Sequence, residues 1–306
     1  MSTQVRIEQA SLQLGRRQQA ILAVLCLCSG IVPLAARWIP GDAARISYGL
    51  IVAVGFLAVT LAVKRDSSLR QFSDLTFAFF ILAFVQLLNN SIPGFVGTNI
   101  LHSLPSAGNP LASTVAGSVI IQLLEAAIAI VPVVIFTVAM GRDLGSIYAR
   151  PGKLGGWLAV AIIFFIAFYL FVATLPLRPD SPAHRLLPTN STLTFDRFLA
   201  LTPALLVMVI SNGFEEELLF RGLFLPKYNA IFGIGLSNVL QAMIFSVAHV
   251  GVTYTPSALL FIVAAVFPLG LAAGYLMRAT NGIVVPAIFH AGLDVAIYIA
   301  FLSYVT

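Results

Sequence analysis

Long apolar runs follow one another along the whole chain, separated by short polar connections. A helix needs about 20 apolar residues to cross the hydrocarbon core of a bilayer, and a lipid-exposed segment must satisfy its own backbone hydrogen bonds. The pattern therefore predicts an all-α fold, a polytopic transmembrane helix bundle with about eight or nine membrane helices. The nine apolar runs are 19–36, 46–63, 75–92, 112–140, 154–177, 198–225, 231–250, 257–277 and 283–304.

Composition supports a membrane protein. Of the 306 residues, 59% are hydrophobic and 9% are charged, and the mean hydropathy is +0.98. A soluble domain needs a more polar surface than these residues can provide. The net charge is +5, but the Lys and Arg residues stand singly between apolar runs and form no basic stripe. We therefore expect membrane lipid as a partner and no nucleic acid.

The positive charges of the connections are distributed unevenly. When alternate connections are assigned to opposite sides of the membrane, one side holds twelve Lys and Arg residues and the other holds five. Cytoplasmic connections carry the excess of positive charge. The distribution predicts a multi-pass integral membrane protein with a cytoplasmic N-terminus, and the compact length is typical of a bacterial plasma membrane protein.

Several ionisable residues lie within the apolar runs. Such groups are costly in a bilayer and usually face a partner or a functional cavity. Seven of the eight lie after residue 210, so the sequence predicts a functional site in the second half of the chain. The eight residues are Glu125, Glu215, Glu216, Glu217, Arg221, His249, His290 and Asp294.

The spacing of these residues suggests different roles. Glu217 and Arg221 stand four residues apart, which favours an ion pair on one helix face. Glu216 points about 100° away from its neighbour and is free to take part in chemistry. His290 and Asp294 are one helical turn apart, so the acid can orient the imidazole or share a site with it. A single histidine such as His249 is more often a hydrogen-bonded packing residue.

A glutamate, two histidines and an acid that converge from three helices can deprotonate a water molecule and stabilise an oxyanion. This is the chemistry of peptide hydrolysis. Glu216, His249 and His290 are also a possible zinc set, since two histidines and a glutamate bind catalytic zinc elsewhere. The chain lacks a His-Glu-x-x-His motif, however, so no metal or cofactor is required by the sequence.

At these residues the chain resembles the CPBP family of intramembrane proteases, which includes type II CAAX prenyl endopeptidases and bacteriocin-processing, Abi-like proteins. The family carries Glu-Glu-x-x-x-Arg, Phe-x-x-x-His and His-x-x-x-Asn or Asp, in that order, on separate membrane helices. The matching residues are Glu216-Glu217-x-x-x-Arg221, Phe245-x-x-x-His249 and His290-x-x-x-Asp294.

The resemblance implies an intramembrane endopeptidase in which Glu216 activates water and His249 assists. His290 with Asp294 would help to bind the developing oxyanion, and the ion pair of the first motif would support the site. We expect Asp294 to orient His290, because an ionised acid cannot donate to an oxyanion. The substrate would be a peptide or a membrane protein, possibly lipid-modified.

The resemblance also suggests a division of the chain. Residues 198–306 would form a CPBP-like catalytic core, 178–197 a polar loop, and 1–177 about five helices without an assigned role. Two points of geometry stay open. Glu215 precedes the paired acids and competes for a role, and His249 lies roughly 27 Å along its predicted helix. Its approach to the other residues requires a tilted helix, a shorter helix or a shifted boundary.

Two other classes of function fit the same pattern. A non-catalytic bacteriocin-immunity or partner-binding protein can keep the motifs without turnover. A proton-coupled transporter would use the acids and histidines as a relay across the membrane. The relay residues would be Glu125, Glu216, His249 and Asp294.

Overall fold

The computed structural model describes residues 15–95, 114–174, 193–250 and 257–305, and the regular structure in these ranges is helical. Short 3-10 turns at Ala35–Trp38, Arg70–Phe72 and Leu144–Ile147 accompany the α-helices. The α-helices are α1 (Arg16–Leu34), α2 (Asp42–Arg65), α3 (Ser73–Phe95), α4 (Val115–Ala139), α5 (Gly155–Ala173), α6 (Phe195–Glu216), α7 (Leu223–Ala248), α8 (Ser257–Phe261), α9 (Phe267–Thr280) and α10 (Val284–Leu302).

Within the described ranges, eight helical segments are long and apolar enough to cross a membrane. This finding confirms the predicted all-α transmembrane bundle. Seven of the segments each correspond to one predicted run, and the eighth, Phe195–Ala248, covers two of them. Many large apolar side chains, such as those of Ile51 and Ile163, are exposed on the outer faces of the helices, where lipid can solvate them.

Gly233 divides the 54-residue segment Phe195–Ala248 into two antiparallel arms. Its φ of 72° and ψ of 179° are not helical, and a residue with a Cβ rarely adopts this conformation. A continuous helix of this length would extend for about 80 Å, more than twice the thickness of the hydrocarbon core. Phe220 and Phe245, at nearly equal distances in sequence from Gly233, contact each other with ring centroids 5.4 Å apart.

The position of this turn explains how Glu216 and His249 reach the same depth. The apolar pattern predicts a connection at residues 226–230, whereas the chain reverses at Gly233. Glu216 and His249 therefore lie about 17 and 16 residues from the turn, or roughly 25 Å along either arm. Of the three explanations considered for the approach of His249, the shifted helix boundary is the one that the structure supports. Apolar residues on both sides of Gly233 conceal the turn in the sequence.

Connections that the sequence assigns to the same side of the membrane contact one another. Arg278 Nη1 donates to the carbonyl of Ile234, next to the turn, at 2.9 Å. At the other end of the bundle, Arg197 Nη2 donates to the carbonyl of Val305 at 2.9 Å. Both contacts agree with the predicted alternation of the connections. The assignment of one side as cytoplasmic stays a prediction.

Two clusters of buried apolar side chains form the core. The larger joins α1, α3, α4, α7 and α9, and the smaller joins α5, α6 and α10. Helices from both predicted halves contribute to each cluster, and the division at 178–197 stays a prediction. Most of that polar loop lies outside the described residues, but α6 already begins at Phe195, where Thr194 Oγ1 accepts from the backbone N–H of Arg197 at 3.2 Å.

Candidate active site

α6 and α10 approach closely at the level of the paired acids. A Cβ on Gly213 would lie 2.5 Å from the carbonyl oxygen of Ala287, so only glycine allows this approach. Just beyond Gly213, α6 ends at Glu216 and continues as a π-helical turn, Glu217–Gly222. Single π-helical turns are frequent at functional sites. The arrangement places both acids beside His290.

Glu217 forms the buried centre of a charged group. Its Oε1 lies 3.0 Å from Nη1 of Arg221 and 2.9 Å from Nδ1 of His290. The side chains of Glu217 and Arg221 are both 0% exposed, and Arg221 Cζ lies 3.9 Å from the ring centroid of Phe245. Buried charges need such partners. The ion pair predicted from the four-residue spacing is confirmed.

Glu216 has a different environment from its neighbour. Its Oε2 lies 3.4 Å from Nε2 of His290 and 3.8 Å from Nε2 of His249. Its side chain is 19% exposed, against 0% for Glu217, although Oε2 itself is buried and has no direct hydrogen-bond partner among the described residues. Glu216 is therefore the less buried of the two acids.

His249 lies directly after the last residue of α7. Its Nδ1 is 2.9 Å from the carbonyl oxygen of Phe245, and the two rings contact each other with centroids 4.6 Å apart. A carbonyl oxygen only accepts, so Nδ1 carries a proton in this arrangement. Nε2 therefore faces Glu216. His249 thus does more than pack, which is the usual role of a single histidine in an apolar helix.

Asp294 lies close to His290 but is not its nearest orienting group. Asp294 Oδ1 is 3.6 Å from Nε2 of His290, which is longer than a hydrogen bond. Asp294 Oδ2 accepts from Nδ2 of Asn212 at 2.9 Å. Glu217 holds the other imidazole nitrogen, so the hydrogen bond that orients His290 comes from the π-helical turn after α6. The spacing within α10 suggests Asp294 because it cannot reveal an acid on another helix.

The segment that contains these residues also matches a known family. Residues 198–296 match the family model Rce1-like. Its full description is Type II CAAX prenyl endopeptidase Rce1-like, and the match confirms the resemblance suggested by the three motifs. It covers about a third of the 306 residues and includes all the acids, histidines and the arginine predicted for the site. No curated protein and no solved structure matches the chain.

A polar network extends from the Rce1-like segment to α4. Gln122 Nε2 donates to Glu215 Oε2 at 3.3 Å, and Gln122 Oε1 accepts from the hydroxyl of Tyr298 at 2.6 Å. Glu215 therefore contacts α4, whereas Glu216 faces the two imidazoles. Glu125 lies one turn further along α4, is partly exposed and interacts electrostatically with both acids.

Sequence reasoning did not single out three polar residues of this network, Asn212, Gln122 and Tyr298. Asn212 was detectable, because it interrupts an apolar run three residues before Glu215. Gln122 lies 93 residues before Glu215 in sequence, and Tyr298, one helical turn after Asp294, contacts Gln122 only through helix packing. Their contribution is visible only in the tertiary structure.

The sequence also suggests Glu216, His249 and His290 as a possible zinc set. Among the residues that the structure describes, no three His, Cys, Asp or Glu side chains form a group that could hold a metal ion. The two imidazoles instead face the same carboxylate oxygen of Glu216. We therefore assign no metal ligand and derive no chemical step through a metal.

Proposed function

We propose that this chain is an intramembrane endopeptidase of the CAAX-processing type, which hydrolyses a peptide bond in or beside the membrane. The observation that carries the proposal is the position of Glu216 Oε2, between Nε2 of His290 at 3.4 Å and Nε2 of His249 at 3.8 Å. A partly exposed glutamate beside two imidazoles is suited to accept a proton from water. Glu217, fully buried and paired, is not.

In the first step, a water molecule held by Glu216 attacks the carbonyl carbon of the scissile peptide bond. Its proton passes to the Glu216 carboxylate, and the carbonyl oxygen becomes an oxyanion. His290 is held through Nδ1 by Glu217, so its protonated form can donate from Nε2 to that oxyanion. Donors placed in advance in a site of low dielectric constant stabilise such an intermediate strongly.

In the second step, the carbon–nitrogen bond breaks and the leaving amine takes up a proton. Glu216 holds the proton that it took from water, and Nε2 of His249, 3.8 Å away, can relay it through one water molecule or after a small shift. The bond from His249 Nδ1 to the carbonyl of Phe245 keeps the ring in this orientation. Asn212 holds Asp294 beside the imidazole of His290.

The location of the chain suggests the class of substrate. Eight helical segments long and apolar enough to cross a membrane, with apolar outer faces, support a site within the bilayer and contact with membrane lipid. The substrate would be a peptide or membrane protein, with or without a lipid modification, whose scissile bond enters the bundle. The excess of positive charge in one set of connections supports a cytoplasmic N-terminus, and we place the protein in a bacterial plasma membrane.

The test is cleavage of prenylated and transmembrane reporter peptides by purified protein in detergent. Glu216→Gln keeps the size of the side chain but removes the base, and we expect activity to fall by about 10²–10⁴-fold. Asp196→Asn is the matched control, because this exposed acid begins the same helix far from the site. A chelator arm tests metal dependence.

Three outcomes decide the proposal. Cleavage by the wild type and by Asp196→Asn, together with its loss in Glu216→Gln, would support it. Equal cleavage by all three proteins would show that Glu216 is not the base. If the folded wild type cuts no reporter of either class, the protease proposal fails and the non-catalytic binding function takes its place.

A further inference from the structure

The C-terminal end of α7, next to His249, is bound by residues outside the Rce1-like segment. The last carbonyl groups of a helix have no partner within it. Arg37 Nη1 donates to the carbonyl of Ala248, and Trp38 Nε1 donates to the carbonyl of Val250 at 3.4 Å. The two carbonyls flank His249. Both donors belong to the 3-10 turn that ends α1, more than 150 residues before the family match begins.

The packing of α1 brings this turn to the end of α7. A Cβ on Gly30 would lie 2.5 Å from Cδ1 of Ile244, so α1 approaches α7 closely about one turn before His249. The side chain of Leu34 is fully buried in the same cluster. The backbone N–H of His249 already donates within the helix, to the carbonyl of Ser246 at 3.1 Å. Only the carbonyl groups depend on the contact with α1.

The charge of Arg37 also matches its surroundings. The C-terminal end of a helix carries a partial negative charge, and cations bound there stabilise it. The guanidinium further interacts electrostatically with Glu216 and His249. Arg37 is partly buried, whereas a cation that served only to keep the surface polar would be free in solvent. Arg37 therefore interacts with both Glu216 and His249, the two groups that face each other in the site.

We propose that Arg37 is a positioning residue of the active site. By binding the carbonyl of Ala248 it holds the last turn of α7 in place, and it thereby fixes Nε2 of His249 against Glu216; Trp38 assists at Val250. The inference rests on the proposed function for its catalytic consequence. It gives the first helix, for which the sequence suggests no role, a part in the arrangement of the site.

The first measurement is independent of catalysis. Hydrogen–deuterium exchange of residues 245–250 is compared between the wild type, Arg37→Gln, Arg37→Lys and Arg45→Gln. We expect Arg37→Gln to speed exchange there about tenfold, since a hydrogen bond to a charged group is lost, and Arg37→Lys to restore part of the protection. Arg45 is the matched control, because it lies in the first turn of α2 near the same end of the bundle, and its ion pair among the described residues is with the exposed Asp42.

The second measurement is steady-state cleavage by the same proteins. A displaced His249 weakens catalysis more than binding, so Arg37→Gln should lower kcat about tenfold and change KM less than twofold. Arg37→Lys should recover part of kcat, and Arg45→Gln should behave as the wild type. If Arg37→Gln does not fold, Arg37→Lys and Trp38→Phe carry both measurements with smaller expected effects.

The outcomes separate this inference from the proposed function. Unchanged exchange in the Arg37 variants would overturn the contact between α1 and α7, whether or not the protein cleaves anything. Faster exchange with an unchanged kcat would overturn the positioning role. A wild type without any cleavage activity would defeat the proposed function and, with it, the catalytic half of this inference, while the exchange arm would still decide the contact.

Discussion

Helices α1–α5 and the Rce1-like segment, 198–296, both cross the membrane as apolar helices, but they differ in the burial of charged side chains. The Rce1-like segment buries Glu217, Arg221, His290 and Asp294 in one connected group. The described residues before this segment make single polar contacts near the group, from Gln122 to Glu215 and from Arg37 to the carbonyl of Ala248. Buried charge is tolerated where several helices supply partners at once, and the proposed chemistry lies where those partners converge.

The largest expected effect tests the buried charges of the Rce1-like segment. Arg221→Met leaves the fully buried Glu217 without its cation, and removal of one partner of a buried ion pair costs about 3–5 kcal/mol. The free energy of unfolding in detergent measures this loss. Because a pair replaced as a whole leaves no uncompensated charge, Glu217→Gln combined with Arg221→Met should be less harmful than Arg221→Met alone. If the double variant is less stable than Arg221→Met alone, burial of an uncompensated charge does not explain the loss.

The second prediction concerns activity without loss of stability. His249 is 19% exposed and lies after the end of α7, so His249→Ala should leave the melting temperature nearly unchanged. We expect its kcat to fall by about 10²-fold, because it removes a group that relays protons. Cleavage kinetics and thermal unfolding of the same preparation check both halves. An activity loss that only follows a loss of folded protein would indicate a structural role for His249.

Much of this arrangement was predictable from the sequence, because membrane helices and motifs are local patterns. The apolar runs predicted the spans, and the spacing of Glu217 and Arg221 predicted their ion pair. The hydrogen bond from Glu217 to His290 was not predictable, since it joins residues on two helices whose relative rotation depends on packing. The turn at Gly233 was concealed for a related reason: apolar residues continue on both sides of it.

The third prediction extends the comparison to α4. Gln122 is buried and bonds both Glu215 and Tyr298, so Gln122→Leu leaves two polar groups without a partner. Unsatisfied buried groups cost about 1–3 kcal/mol. We expect the free energy of unfolding to fall by this amount while kcat stays within a few-fold of the wild type. A loss of kcat as large as that of His249→Ala would place α4 inside the catalytic machinery.

The smallest effect is expected at an exposed ion pair. Asp74 and Arg142 pair at one end of the bundle with side chains that are 41% and 55% exposed. Exposed pairs contribute less than about 1 kcal/mol, so Asp74→Asn should change the unfolding free energy far less than Arg221→Met. Unfolding at two salt concentrations provides the check. A loss comparable to that of Arg221→Met would show that burial does not explain the difference between the two pairs.

The sequence by itself determined that the chain crosses a membrane many times and that the acids, histidines and arginine stand in three motifs that resemble those of CAAX-type proteases. These properties depend on local apolar periodicity and on spacing along single helices. Only the tertiary structure decided which acid is fully buried and which is partly exposed, and which distant part of the chain contacts the helix end at His249. Those properties depend on how Gly213 and Gly233 let helices approach and reverse, and so on contacts between residues that are far apart in sequence.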